Sequence, residues 1–159
     1  MSFFIGAGLI LTQGDKFVLI KEVCHEKADL YNLPAGTLEI QEDLIECITR
    51  EAKEETGADI TLEHLVDIYQ TVIASGSNVL FTIFAGSTPM DTVFHSDEHE
   101  IIEVLSYNEI VALDKAGKLR APTILKAIDD YRAGQKLPLS AVQSWHIAKL
   151  DSITVSKDH

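Results

Sequence analysis

The chain is poor in cysteine, with only Cys24 and Cys47 in 159 residues. Two thiols are too few for a disulfide framework or a four-thiolate zinc site, and they suit a reducing compartment, so a cytoplasmic location is expected. Basic residues are scarce as well: 13 Lys and Arg face 25 Asp and Glu, for a net charge of −12 and a sequence pI near 4.8. Such a balance disfavours nucleic acid or an anionic membrane as partner. An anionic small molecule fits only if a local cation, most simply a bound divalent metal, reverses the sign of the field where it docks. Long apolar runs are missing too. Residues 3–11 are strongly apolar but fall short of the roughly 18 residues of a membrane span, lack a preceding Lys or Arg and a following small-residue cleavage site, and read as a buried strand. No internal repeat or low-complexity linker interrupts the chain, and residues 1–159 are read as one domain.

What is present is globular: 46% hydrophobic and 24% charged residues lie near the average, which excludes disorder. Residues 3–11 and 16–23 are rich in Phe, Ile, Leu and Val, and Gln13-Gly14-Asp15 between them predicts a hairpin. Residues 24–32 are polar and irregular, and Leu33-Pro34-Ala35-Gly36 predicts a loop entering something specific. A helix is predicted over 42–56, with Gly57 as its left-handed cap. Two strands over 60–73 and 78–85, joined by Ala74-Ser75-Gly76-Ser77, form a second hairpin. After an acidic loop at 95–100, residues 101–105 resume the strand pattern. Ser106 and Glu109 have capping-box spacing for a helix to Leu113, and Pro122 suits the first turn of another ending near Ala133. Strands interleaved with a few helices predict an α/β layered domain with a mixed sheet.

The helix over 42–56 breaks two stability rules. At about 100° per residue, Leu44, Ile45, Ile48 and Ala52 form the core-facing stripe, yet Glu51 and Glu55 fall within that sector, while Glu46, Arg50 and Lys53 take the opposite face. Glu51 and Glu55 are like charges four residues apart, and Glu51, Glu54 and Glu55 crowd the negative end of the helix dipole. A cation would resolve the conflict: carboxylates at i, i+3 and i+4 converge on one side of a helix, and Mg²⁺ takes oxygen ligands while keeping waters that a phosphate can replace. A Glu-rich solvated surface partly neutralised by Arg50 and Lys53 is the alternative, and the wheel alone leaves both open.

The stretch from Gly36-Thr37-Leu38-Glu39-Ile40-Gln41-Glu42 through Arg50-Glu51-Ala52-Lys53-Glu54-Glu55-Thr56-Gly57-Ala58 resembles the Nudix box, with every fixed position filled and only Ala58 smaller than the usual aliphatic. The resemblance implies the Nudix α/β/α sandwich with a mixed sheet, and Mg²⁺- or Mn²⁺-dependent hydrolysis of a nucleoside diphosphate derivative by water attack on phosphorus. Carried onto this chain, it implies that Glu51, Glu54 and Glu55 bind metal together with the Gly36 carbonyl, that Arg50 orients the glutamates, and that Glu42 supports the site. The base would be a box glutamate such as Glu54 or a carboxylate from a loop outside the box. Glu98, preferred over Glu100, is the candidate there. Metal ligation by His95 and His99, and catalysis by either cysteine, are the less favoured readings of those residues.

Leu-Pro-Ala-Gly at the box entrance, Leu119-Arg120-Ala121-Pro122 and the stretch 131–139 resemble a small bacterial phosphatase branch of the family. That branch removes terminal phosphate from nucleoside tri- and diphosphates and from pyrimidine pyrophosphates of the thiamine pathway. Tyr31 is a candidate for stacking on a base, with a packing role as the alternative. Arg120 is a candidate for meeting a phosphate, with an ordinary surface arginine as the alternative. The expected partner is a small nucleotide or pyrophosphate, not nucleic acid or a membrane. ADP-ribose, dinucleoside polyphosphates and a non-catalytic nucleotide sensor remain as alternatives. Dimers are common in the family, and a homodimer stays open without an apolar stripe to mark its interface.

Overall fold

A computed structural model describes residues 3–23, 29–73, 75–96 and 101–145. The strands are β1 (Phe3–Gln13), β2 (Lys16–Lys21), β3 (Tyr31–Asn32), β4 (Ala35–Thr37), β5 (Thr61–Val72), β6 (Asn78–Ser87) and β7 (Ile101–Leu105); the helices are α1 (Leu44–Thr56), α2 (Tyr107–Lys115) and α3 (Pro122–Arg132). The seven strands form one mixed sheet in which β3-β2-β1-β6-β5 is the main path, β4 adds to β1 and β7 to β2. β1 and β6 run parallel over ten registered pairs, from Phe3 opposite Asn78 to Thr12 opposite Ser87. The other pairings are antiparallel.

The period of two along β1 sorts the core into two layers. Ala7, Leu9 and Leu11 pack with Cys47, Ile48 and Ala52 of α1, joined by Val18, Leu65 and Phe84. Ile10 points the other way, with Leu19, Ile83 and Ala85, against Ile110 of α2 and Ile124, Ala127 and Ile128 of α3. Each fully buried aliphatic side chain in these layers contributes about 2 kcal/mol. With helices on both faces of a mixed sheet, the architecture is the α/β/α sandwich expected.

Both hairpins are present, and Gly57 closes α1 at φ 67° with its N–H on the Lys53 carbonyl at 2.9 Å. A side chain at Gly57 would run into His95. The predicted helix start is corrected by two residues. Asp43 stays extended at φ −94° and ψ 170°, and its carboxylate accepts the N–H groups of Ile45 and Glu46 while Glu46 reaches back to the Asp43 N–H. This capping box makes Leu44 the first helical residue. The predicted loop around residues 31–37 is corrected as well: it holds β3 and β4. These strands are two and three residues long and flank Pro34, too short for periodicity to mark.

Beyond α3 the chain crosses the edge strand β5. Leu137 and Leu65 exchange backbone hydrogen bonds at 2.7 and 3.0 Å, Leu139 and Val142 pack on the α1 layer, and the Ser144 hydroxyl donates to Asp43 at 3.1 Å. Part of an otherwise open sheet edge is thereby covered. No helix among the described residues is long and apolar enough to cross a membrane.

Candidate active site

The site is built where β4 lies between β1 and α1. Gly36 pairs opposite Ala7, and a side chain on Gly36 would occupy the place of the Glu51 carboxylate. Only hydrogen at this position lets the helix carry Glu51 against the strand. Across the pairing, a side chain at Gly6 would meet the Gly36 carbonyl and the ring of Phe81. Two glycines therefore allow strand, strand and helix to close on one point.

Arg50 ties the acidic residues together. Its Nε and Nη2 donate to the two oxygens of Glu42 at 2.7 and 3.0 Å, and its Nη1 donates to Glu51 at 2.7 Å and Glu54 at 3.1 Å. The wheel sets Arg50 away from the apolar stripe and within one turn of Glu54, and its long side chain also reaches Glu51 and Glu42, the contacts an arginine that orients the glutamates needs. Glu42 also accepts the Glu39 N–H at 3.0 Å, and the guanidinium beside it lowers its carboxyl to about 2. Reciprocally, Glu42 and then Glu51 push the arginine further above its ordinary range. Burial raises the Cys47 thiol to about 12, which leaves it an unreactive core group.

The three box carboxylates are held differently. Glu51 is mostly covered, Glu54 keeps 45% of its side chain exposed, and Glu55 accepts the Ala35 N–H at 2.9 Å. Glu51 and Glu55 thus face β4 while Glu54 stands toward solvent. Among the described residues no three ligating side chains converge as they stand, since Arg50 bridges Glu51 and Glu54. The donor types nevertheless suit a hard divalent ion: Glu51 lies against Gly36, Glu54 shares Arg50 with it, and Glu55 is held at Ala35, the next residue along β4. Glu98, His99 and Cys24 lie outside the described residues. The His95 N–H donates to the Thr56 carbonyl at 3.0 Å, beside the end of α1.

Tyr31 is a correction to the stacking expectation. The residue is 8% exposed and belongs to the α3-side core, and its hydroxyl donates to Glu103 at 3.1 Å, which is the packing role. The cause is local. The Tyr31 N–H donates to the Lys118 carbonyl at 2.8 Å and its carbonyl accepts the Arg120 N–H at 2.9 Å, so the segment is drawn in between β2 and the chain entering α3.

The open space lies next to it. A cleft of about 590 Å³ is cut into the α3 side of the sheet, lined by Phe4, Gly8, Val79, Phe81, Ile83 and Tyr69, by Ala121, Thr123 and Ile124 at the start of α3, and by Arg120. Ala35 and Thr37 also line it, while Gly36 between them faces Glu51, so β4 carries the cleft on one face and the Glu51 carboxylate on the other. Tyr69 is fixed by its hydroxyl on Asp130 at 2.7 Å. Reading the sequence misses this cleft. Its lining is drawn from positions 4 to 124, and only the β1–β6–β5 register brings Gly8, Ile83, Phe81 and Tyr69 onto one face.

A family model, the NUDIX domain, matches residues 3–127. The chain is 33% identical over 129 residues to a phosphatase NudJ of Shigella boydii, covering 80% of this chain and 82% of that one. A phosphatase NudJ of Escherichia coli K12 is 32% identical over 129 residues, with the same coverage of 80% and 82%. A NUDIX hydrolase structure from Nitrosomonas europaea, 31% identical, superposes with a TM-score of 0.76 over 89% of this chain and 97% of that one. A MutT protein from Methanosarcina mazei, 19% identical, shares the fold with a TM-score of 0.69 over 85% and 97%.

Proposed function

Because the chain belongs to the NUDIX family and is a hydrolase of phosphorus-containing anhydrides, we propose that its substrates are small nucleotides, foremost nucleoside tri- and diphosphates losing their terminal phosphate with Mg²⁺ or Mn²⁺ present. The observation that carries this reading is one guanidinium spanning Glu42, Glu51 and Glu54 beside an apolar cleft of about 590 Å³. Charged and organic halves of a nucleotide need such adjoining environments. The net charge of −12 supports a small-molecule partner over nucleic acid, since a strand would need a basic track. Two thiols and no membrane-length helix among the described residues are compatible with a cytoplasmic setting.

In this reading Glu51, Glu54 and Glu55, with the Gly36 carbonyl, would hold the metal. A bound divalent ion screens phosphate charge and lowers the pKa of water. The chain's own residues do the rest. Glu42 holds one edge of the guanidinium with both its oxygens, Arg50 sets Glu51 and Glu54 in relation to each other, and the Ala35 N–H fixes Glu55. The Glu54 side chain is 45% exposed against 13% for Glu51, and this solvent access suits it to take the proton of the attacking water. Glu98 is the second candidate for that proton.

The test is a hydrolysis panel of nucleoside tri- and diphosphates, ADP-ribose, diadenosine polyphosphates and pyrimidine pyrophosphates with Mg²⁺, scored separately for phosphate and pyrophosphate. Orthophosphate from simple nucleotides is the expected product. Glu54→Gln lowers kcat by about 10³-fold or more, the loss of several kcal/mol of charge stabilisation, with an unchanged circular dichroism spectrum. Pyrophosphate or mononucleotide from a larger conjugate moves the substrate elsewhere, and undiminished activity in Glu54→Gln overturns the site.

A further inference from the structure

Among the described residues the cleft has a single charged lining residue, Arg120, and its charge is already matched. Arg120 Nη1 donates to both oxygens of Glu22, at 2.8 and 2.6 Å, and the Glu22 side chain is only 12% exposed. The main chain is fixed as well, because the Arg120 N–H donates to the Tyr31 carbonyl and the Tyr31 N–H to the Lys118 carbonyl. Among the described residues no acceptor takes Arg120 Nε or Nη2. A braced guanidinium therefore lines an apolar cleft with donors to spare.

Charge decides what those donors suit. A phosphate brought to this guanidinium would come close to the Glu22 carboxylate as well, and the repulsion would offset much of the attraction. An uncharged acceptor, such as a ring carbonyl oxygen, gains a charge-assisted hydrogen bond without that penalty. The surroundings agree: Phe81 and Tyr69 are opposite one another on β6 and β5, with the Tyr69 hydroxyl turned away to Asp130, so the wall they form presents rings and no competing polar group. Such a wall accepts a flat ring.

We infer that Arg120, held by Glu22, donates to an uncharged acceptor on the edge of a heterocycle seated in the cleft, so that Arg120 sets which ring is taken and Glu22 is its positioning residue. The inference rests on the reading of the cleft as the place of the substrate's organic half. It reassigns Arg120 from a phosphate contact to a ring contact.

The test compares the wild-type protein with Arg120→Met and Glu22→Gln, measuring kcat and KM for UTP, CTP and GTP, whose rings all carry a carbonyl, and the Kd of inorganic tripolyphosphate by calorimetry, all with Mg²⁺. In Arg120→Met, KM rises about tenfold for the nucleotides and kcat changes less than about twofold, as expected for a lost charge-assisted hydrogen bond in binding, while tripolyphosphate Kd stays put. In Glu22→Gln, KM rises by a smaller factor, yet tripolyphosphate binds more tightly because the guanidinium charge, matched in the wild-type protein, is left free to attract an anion. A merely structural role for Glu22 would not move the two ligands in opposite directions. The inference is overturned if tripolyphosphate weakens in Arg120→Met in step with KM, or if the nucleotide KM does not move. Absence of turnover in the wild-type protein would instead defeat the proposed function, and nucleotide Kd values measured calorimetrically would then replace KM in the same comparison.

Discussion

Arg50 and Arg120 flank the two halves of the site and do opposite electrostatic work. Arg50 is outnumbered, with Glu42, Glu51 and Glu54 all on one guanidinium. Arg120 is matched one to one by Glu22. The first arrangement leaves negative charge in excess beside Gly36, where a divalent ion has something to neutralise. The second leaves none in the cleft, where an apolar ring has no charge to avoid. The same residue type thus marks a place for a cation in one region and for a neutral group in the other, and the difference lies in how many carboxylates surround it.

The largest effect on this contrast is expected from Glu54→Gln, described above. Next is Gly36→Ala. Its methyl group takes the place of the Glu51 carboxylate, so kcat falls about 100-fold from misplacement, while the nucleotide KM, set in the cleft, changes little. Steady-state kinetics separate the two. Arg50→Met removes the shared cation and lowers kcat about 10–100-fold, the scale of lost supporting contacts around metal ligands. Its three carboxylates are left facing one another, so thermal unfolding should show a lower Tm that Mg²⁺ restores by a larger increment than it adds to the wild-type protein. Arg120→Met, acting on the neutral half, is smaller again, at about tenfold in KM.

The smallest effect is the acid response of the Arg50 network. Glu42 titrates at about 2 in the folded chain against an ordinary 4.5. A depressed carboxyl stabilises the fold fully above pH 4.5, and that contribution is lost as the pH falls through about 2. Thermal unfolding of wild-type and Glu42→Gln proteins should therefore differ by a constant amount down to about pH 4.5 and converge toward pH 2. A difference independent of pH would break the account of Glu42 as an ion-paired anchor.

The elements around Glu42, Arg50, Glu51, Glu54, Glu55 and Gly36 were legible because their relations are local. Three- and four-residue spacings on one helix and a stop at Gly57 follow from helical geometry with little help from the remainder of the chain, whereas the cap at Asp43 was missed and the start set two residues early. The bonds from Arg50 to Glu42 and Glu51 were not legible from the wheel, which ignores the reach of a long side chain. Tyr31 was open to two readings because its burial depends on residues 118–120, nearly ninety positions away in the chain. Glu22 carried no signal at all: its partner is 98 positions distant.

By itself, then, the sequence determined an acidic α/β chain with a carboxylate-bearing helix beside a glycine, since charge, strand alternation and helical period are properties of near neighbours. Tertiary structure alone decided that an apolar cleft opens across β4 from those carboxylates, that Tyr31 lies in the core, and that Arg120 lines the cleft already paired. Each of these depends on the parallel register of β1 with β6 and on α3 packing over their far face, contacts between distant segments that no local pattern encodes.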